Sequence, residues 1–286
     1  MIDGSFVERA TDRHVRLRQL LLRDGRQSLP PPADFDRPFR LGADGELSRG
    51  ALAHVRHRGA VALRLDEPLP AHRFTALGAR LGRAIAETDP AVLPHVEDGV
   101  ILNLVSRHPE TADVSLQPFA SNYLSLHSES SGQAVPRQPR YIVLMCHEPG
   151  DGAAQTVLVS MGAVAARLTD RQLAVLARTR YRRAGAPPAI LRRVGARPVF
   201  SFRDFMAQPL AWRHEAADGT GADTVNATVR ALLAAMYAPD GAVGVRWRRG
   251  LLVVIDNTYF FHGRTAGPAS PTTPRRHLQR LRIAEV

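Results

Sequence analysis

A chain of 286 residues with 44% hydrophobic and 23% charged residues is long enough to bury a sizeable core, which excludes global disorder. Its formal charge of +11 rests on scattered arginines with no lysine and no dense basic run with interleaved aromatics, so nucleic acid is not an expected partner. No apolar run approaches the roughly 18 residues of a membrane span, the N-terminus does not read as a signal peptide, and the single cysteine, Cys146, cannot form an intramolecular disulfide, so a cytoplasmic location is expected.

The pattern predicts a first helix over about Phe6–Arg23, followed by a proline-rich extended connector, Ser28–Pro38. Glu46–His57 has helical spacing of Leu47, Ala51 and Val55, and Arg58-Gly59 ends it. The run from Gly59, GAVALRL, reads as a strand, and His72–Glu87 as a helix with Phe74, Leu77, Leu81 and Ile85 on one face. From about Gly99 short β-type runs dominate: Val100–Val105, Asn122–Leu126, Tyr141–Cys146, Gln155–Ser160, Pro198–Phe202, Val243–Trp247, Leu251–Asp256 and His277–Ile283. Helices are predicted over Gly162–Arg178 and Asp223–Tyr237. So many short strands with few helices point to a mainly β fold with flanking helices, closed as a double-sheet jelly roll (double-stranded β-helix). The expectation is a single domain over 1–286, with 1–98 as a covering region and 99–286 as the jelly-roll core.

A histidine and a carboxylate at i and i+2 of a strand point to one face, and a distant histidine can complete a 2-His-1-carboxylate set with open positions for iron chemistry. His-x-Glu alone says little, because the chain contains three. His95-Val-Glu97 lies in a proline-flanked connector, and His108-Pro-Glu110 has proline between its two residues. His127-Ser-Glu129 follows a strand-like run at the point where a strand would open into a pocket. Downstream, Gly250–Arg264 is an apolar strand running into the turn pair Asp256-Asn257 and then His262-Gly263-Arg264.

Four elements in order, His127-x-Glu129, Gln155-Thr156, Asp256-Asn-x4-His262-Gly-Arg264 and Arg276-x3-Arg280-Leu-Arg-Ile283, resemble the taurine dioxygenase/clavaminate synthase-like Fe(II)/2-oxoglutarate oxygenases. The resemblance runs from about Gly59 to the C-terminus. It implies iron held by His127, Glu129 and His262, with 2-oxoglutarate and dioxygen as co-substrates and succinate and carbon dioxide as products. It also implies that Arg276, with the Thr156 hydroxyl, binds the far carboxylate of 2-oxoglutarate. Arg280, four residues on and so on the same strand face, would lie nearer the iron-bound carboxylate or the substrate. Arg275, on the opposite face, is the alternative if the register is off by one. The carboxylate of Glu129 argues for hydroxylation over halogenation, since halogenating relatives have a small residue there.

The resemblance further implies a small-molecule substrate, a free amino acid or specialised metabolite. Ser130 and Gln133 are expected at the pocket mouth. Arg203 and Asp204 fall where the family carries a lid and could meet an amino or carboxylate group, although solvated loop charges are the commoner case. Two rival readings remain: a cupin-like metal enzyme not using 2-oxoglutarate, and a non-catalytic binding protein on the same fold. The first predicts a fourth protein ligand, for which His147 is the next candidate, and leaves Arg276 and Thr156 without a task.

Overall fold

The structure is a computed structural model that describes residues 1–23, 29–42, 47–108, 110–111, 113, 115–215, 219–267 and 274–285. Ser28, Glu46 and Pro109, which fall within sequence expectations, lie outside the described residues. In chain order the elements are β1 (Ile2–Phe6), α1 (Arg13–Arg18), α2 (Arg49–Arg58), β2 (Ala60–Arg64), α3 (Ala71–Ala79), β3 (Arg83–Ala84), β4 (Val96–Glu97), β5 (Ile101–Val105), β6 (Leu124–His127), β7 (Tyr141–Glu148), β8 (Thr156–Ser160), α4 (Met161–Ala165), α5 (Asp170–Ala177), β9 (Thr179–Tyr181), β10 (Leu191–Val194), β11 (Arg197–Phe200), β12 (Leu210–His214), α6 (Ala222–Met236), β13 (Ala242–Val245), β14 (Leu251–Asp256), β15 (Phe260–Arg264) and β16 (His277–Ala284).

Two antiparallel sheets make the core, a larger one in the order β2-β14-β7-β16-β5-β4, with β3 also on β16, and a smaller one in the order β13-β8-β15-β6. Their inward side chains meet in one apolar layer that includes Leu102, Leu144, Val253 and Leu278 from the larger sheet and Leu158 and Val245 from the smaller. This is the jelly-roll, double-stranded β-helix architecture read from the sequence. Alternation along each strand supplies a second apolar face. On the larger sheet Val61, Leu63, Val143, Leu252, Val254, Leu281 and Ile283 point outward and pack under Ala51, Val55, Phe74 and Leu77 of α2 and α3. On the smaller sheet Val157, Val159, Leu126 and Phe261 are covered by α4, α5 and α6.

Local chemistry sets the helix ends. Ser48 caps α2 by accepting from the Ala51 N–H, and Gly59 closes it at φ 80°, where an added Cβ would meet the Tyr259 ring. The helix predicted over Gly162–Arg178 is two helices, because Thr169 and Gln172 form a capping box that starts α5 afresh.

Two N-terminal expectations differ. The predicted Phe6–Arg23 helix begins only at Arg13, with a π-helical turn over Gln19–Arg23, and residues 2–6 instead pair antiparallel with β12. The predicted His72–Glu87 helix stops at Ala79, where Gly82, at φ 153°, passes so close to the Ala284 carbonyl that no Cβ would fit. Beyond it β3 pairs with β16, so tertiary pairing overrides the helical periodicity of Leu81 and Ile85.

Candidate active site

His262 on β15 and His127 on β6 are directly opposed residues of one antiparallel pair, so their side chains share a face. A register shift between His262 and Arg264 follows, which is how both His127 and Leu124, three residues apart, come to line the same cavity. Close approach of the strands requires Gly263, whose added Cβ would lie 2.6 Å from the Leu124 carbonyl. On the other edge of β6 His127 bridges Arg203, while the Ser128 N–H donates to the Phe202 carbonyl at 2.8 Å. His262, His127 and Arg203 therefore lie side by side across the sheet, facing one way.

Glu129 completes a cluster in which single ligand atoms of His127, Glu129 and His262 lie within 4.8 Å of one another. Both histidine Nε2 atoms face the same Glu129 Oε2, at 3.8 and 3.7 Å. The i, i+2 strand argument does not account for this, because β6 ends at His127 and Glu129 stands in the turn beyond it. Asn257 holds it there, accepting from the Glu129 N–H at 2.7 Å and donating to the Glu129 carbonyl at 3.2 Å and that of Pro139 at 2.9 Å.

The donor set fits Fe(II). Burial pushes the Glu129 carboxyl up, but Arg280 and the two imidazoles facing it outweigh that and hold it well below its usual value, so it is an anion. Burial, and His127 beside it, lower His262 to about 4, so it is a neutral imidazole with a lone pair. His127 Nδ1 lies 2.8 Å from the Ser125 carbonyl, which fixes the tautomer that frees Nε2. Two imidazole nitrogens and one carboxylate leave coordination positions for co-substrate and dioxygen.

The cluster opens into a cavity of about 600 Å³. Along β16 and the residue before it, Arg276, Leu278, Arg280 and Arg282 all line this cavity, as period-two alternation requires. Arg275 is exposed and does not line it. Arg276 is buried without an ion-pair partner among the described residues, its Nε has no hydrogen-bond acceptor, and desolvation lowers its pKa to about 10. A buried cation aimed into a cavity is costly unless an anion meets it there. Thr156, on the same wall, accepts from the Trp247 indole at 3.0 Å, which leaves its own hydroxyl proton free to donate. The residues present therefore fit 2-oxoglutarate.

Arg280 donates to Glu129 at 3.4 Å and to Glu87 at 2.9 Å, and Arg282 donates to Glu87 at 2.9 Å and to the Ser130 hydroxyl at 3.4 Å. Ser130, Gln133 and Arg203 line the cavity, and Ser130 takes a positive φ of 56° in the turn after Glu129. Asp204 does not line it. Its carboxylate is buried behind β6, paired with Arg18 at 2.7 Å and accepting from the Tyr237 hydroxyl at 2.7 Å, so the expected substrate contact gives way to a structural one. His147 stacks on His277 with ring centroids 4.7 Å apart and does not join the His127 cluster. Arg264, two residues past His262, is spent on the carbonyls of Pro118, Gln117, Ala120 and Asn122, which fastens the 117–122 segment over the site.

Sequence reasoning missed Glu87, Gln117, Tyr181 and Arg282. Arg282 was legible, since it shares the parity of Arg276 and Arg280. Glu87 fell inside a helix that does not extend that far, and Gln117 and Tyr181 come from segments with no local signal.

A profile of the taurine catabolism dioxygenase TauD, TfdA family matches residues 26–282. Among solved structures the chain is similar to PvcB from Pseudomonas aeruginosa, at 22% identity and TM-score 0.62, covering 89% of this chain and 90% of that one. It is also similar to asparagine oxygenase, at 20% identity and TM-score 0.59 over 82% and 78% of the two chains. A third similar structure is the non-heme iron oxygenase OrfP with Fe and alpha-ketoglutaric acid, at 17% identity and TM-score 0.60 over 84% and 81%. No curated protein matches the sequence.

Proposed function

The chain belongs to the TauD/TfdA dioxygenase family and is an Fe(II)- and 2-oxoglutarate-dependent oxygenase using O2; within that class we propose that it hydroxylates an unactivated C–H bond of a free amino acid or comparably small metabolite. One observation carries the assignment of roles: the trio His127, Glu129 and His262 shares its cavity with Arg276, a buried cation that has no anion of its own among the described residues. In this reading the trio holds the metal, and the planar fork of Arg276, helped by the Thr156 hydroxyl, grips the far carboxylate of 2-oxoglutarate. Bound iron and 2-oxoglutarate supply the oxidising chemistry, with 2-oxoglutarate ending as succinate and carbon dioxide. The protein's part is positional. Arg280 and the two imidazoles keep the Glu129 carboxylate ionised, Arg280 and Arg282 fix its direction, and the apolar wall of Leu102, Leu144 and Leu278 keeps bulk water from the oxidising centre.

The cavity volume supports a small substrate. The asparagine oxygenase structure contains 3-hydroxyasparagine and succinate, and an OrfP structure contains succinate and (3S)-hydroxy-L-Arg, which supports an amino acid of that size. Ser130, Gln133 and Arg203 are read as substrate contacts because they line the same cavity. The whole of 1–286 is read as one oxygenase domain, because β2 from the N-terminal third pairs with β14 in the larger sheet. A cytoplasmic location belongs to the same reading, resting on the lone buried Cys146; no helix among the described residues is long and apolar enough to cross a membrane.

The test is succinate release by purified protein given Fe(II), ascorbate and 2-oxoglutarate in air, with a panel of free amino acids and a His127→Ala control. Stimulation by one amino acid, absent in the control, is the expected result. Succinate formation equal in the His127→Ala protein would sink the assignment of the trio.

A further inference from the structure

Among the described residues six arginines and three carboxylates line the cavity, an excess of three positive charges. Binding Fe(II) and 2-oxoglutarate together does not change that balance, since a dication and a dianion cancel. Most of the six have work to do. Arg264 is tied to four carbonyls, Arg280 and Arg282 share Glu87 and Glu129, and Arg276 is the co-substrate's partner in the reading above. Asp89 is engaged within the protein, accepting from the Ser115 hydroxyl and the Ala91 N–H. Arg203 and Arg183 remain without an ion-pair partner among the described residues.

Arg203 is the better placed of the two. It is the cross-strand neighbour of His127, and directly opposed residues project on one face with Cβ atoms about 5 Å apart. Its backbone is held by the Tyr181 hydroxyl, which accepts from the Arg203 N–H at 2.9 Å. Its guanidinium lies over the Phe205 ring and donates to Gln117 Oε1, a neutral group, at 3.1 Å. Glu129 and Asp204 act on it through space but neither comes within ion-pair reach, and an immobilised guanidinium in a partly dry site whose direct side-chain acceptor is neutral is a receptor for an oxyanion. Arg183 lines the cavity against Gly132 and also borders a second depression, where Arg180 is paired with Glu215 and Arg182 and Arg213 with Asp3.

We propose that Arg203 selects a net-anionic substrate, an acidic amino acid or an oxyanion analogue of one, by gripping its extra anionic group beside the metal ligand His127. This rests on the oxygenase reading and narrows it. A neutral zwitterion would leave the excess charge of the site uncompensated, and a cationic amino acid would add to it.

The experiment is an anaerobic titration of the Fe(II)- and 2-oxoglutarate-loaded protein, read by melting temperature and, on admitting air, by succinate release. The probes are L-glutamate, L-aspartate and O-phospho-L-serine against L-glutamine, L-asparagine and L-arginine. An acidic member should half-saturate at a concentration at least tenfold below that of its neutral counterpart. Arg203→Gln should erase that ratio while leaving 2-oxoglutarate binding as it was. Gln117→Glu, which keeps the Arg203 contact but supplies an internal carboxylate, should erase it too and guards against a folding defect in the first variant. Equal or tighter binding of the amides or of arginine overturns the proposal, as does a ratio that survives both substitutions. So does the absence of any response to the acidic members by protein that binds 2-oxoglutarate normally. Failure to bind 2-oxoglutarate at all would instead strike the oxygenase reading, and this proposal with it.

Discussion

Asn257 holds Glu129 by both polar groups of its backbone, its side-chain oxygen accepting from the N–H at 2.7 Å and its side-chain nitrogen donating to the carbonyl at 3.2 Å. Glu129 lies past the end of its strand, so this amide does what strand pairing would otherwise do. Asn257 itself is fixed, since its N–H donates to the Arg140 carbonyl and its side chain also reaches Pro139.

Asn257→Ala should therefore weaken Fe(II) binding by roughly 10- to 100-fold, the usual cost of losing an orienting group behind a metal ligand. Asn257→Asp keeps the acceptor and loses the donor, and should fall between. Metal titration followed by fluorescence or calorimetry measures both. Wild-type affinity in the alanine variant would show that Arg280 and Arg282 suffice to place Glu129.

Arg276→Ala should raise the half-saturating 2-oxoglutarate concentration by roughly 30-fold or more, because losing one member of a buried charge pair costs about 2 kcal/mol or more. The ligand-free protein should melt at the same temperature or higher, since the substitution removes a buried cation with no ion-pair partner among the described residues. Arg275→Ala, at an exposed neighbour, should change neither quantity. Dependence on Arg275 instead would mean that the β16 register is wrong.

Gly263→Ala puts a Cβ 2.6 Å from the Leu124 carbonyl, at the pairing that sets His262 opposite His127. Forcing the strands apart should cost about 1–3 kcal/mol in denaturant unfolding and weaken iron binding in parallel. A variant that loses stability but binds iron normally would show that the bulge, not the strand spacing, aims the two imidazoles.

The N-terminal network gives a pH prediction. Burial raises the Glu8 carboxyl, but hydrogen bonds from His14 and Arg18 outweigh it and hold the group at about 2, against an ordinary 4.5. A carboxyl depressed in the folded state contributes stability that is complete above its unfolded value and is lost as the pH falls through the folded one. Glu8→Gln should therefore be less stable than the parent at neutral pH, with the gap closing between about pH 4.5 and 2. Urea unfolding across that range measures it, and a gap independent of pH would assign the loss to packing around Arg18 instead.

The sequence by itself determined the fold class, because short β-type runs such as Val100–Val105, Leu251–Asp256 and His277–Ile283, set apart by turns, are a local property of each strand. It determined the metal-ligand candidates too, since His127-x-Glu129 and His262-Gly-Arg264 stand beside recognisable strands. The parity of Arg276, Arg280 and Arg282 is also written in their spacing. Tertiary structure alone decided the rest. That residues 2–6 are a strand depends on a partner more than 200 positions away, and that the third helix stops at Ala79 depends on the Ala284 carbonyl. Asp204 turned away from the cavity because Arg18, also far along the chain, offers its charge a partner. Arg203, its neighbour, came to line the cavity of His127 and His262 by pairing with His127. Local periodicity fixes which way a side chain points within its own element, but the energy of a buried charge is set by what lies across from it, and only the folded chain brings those groups together.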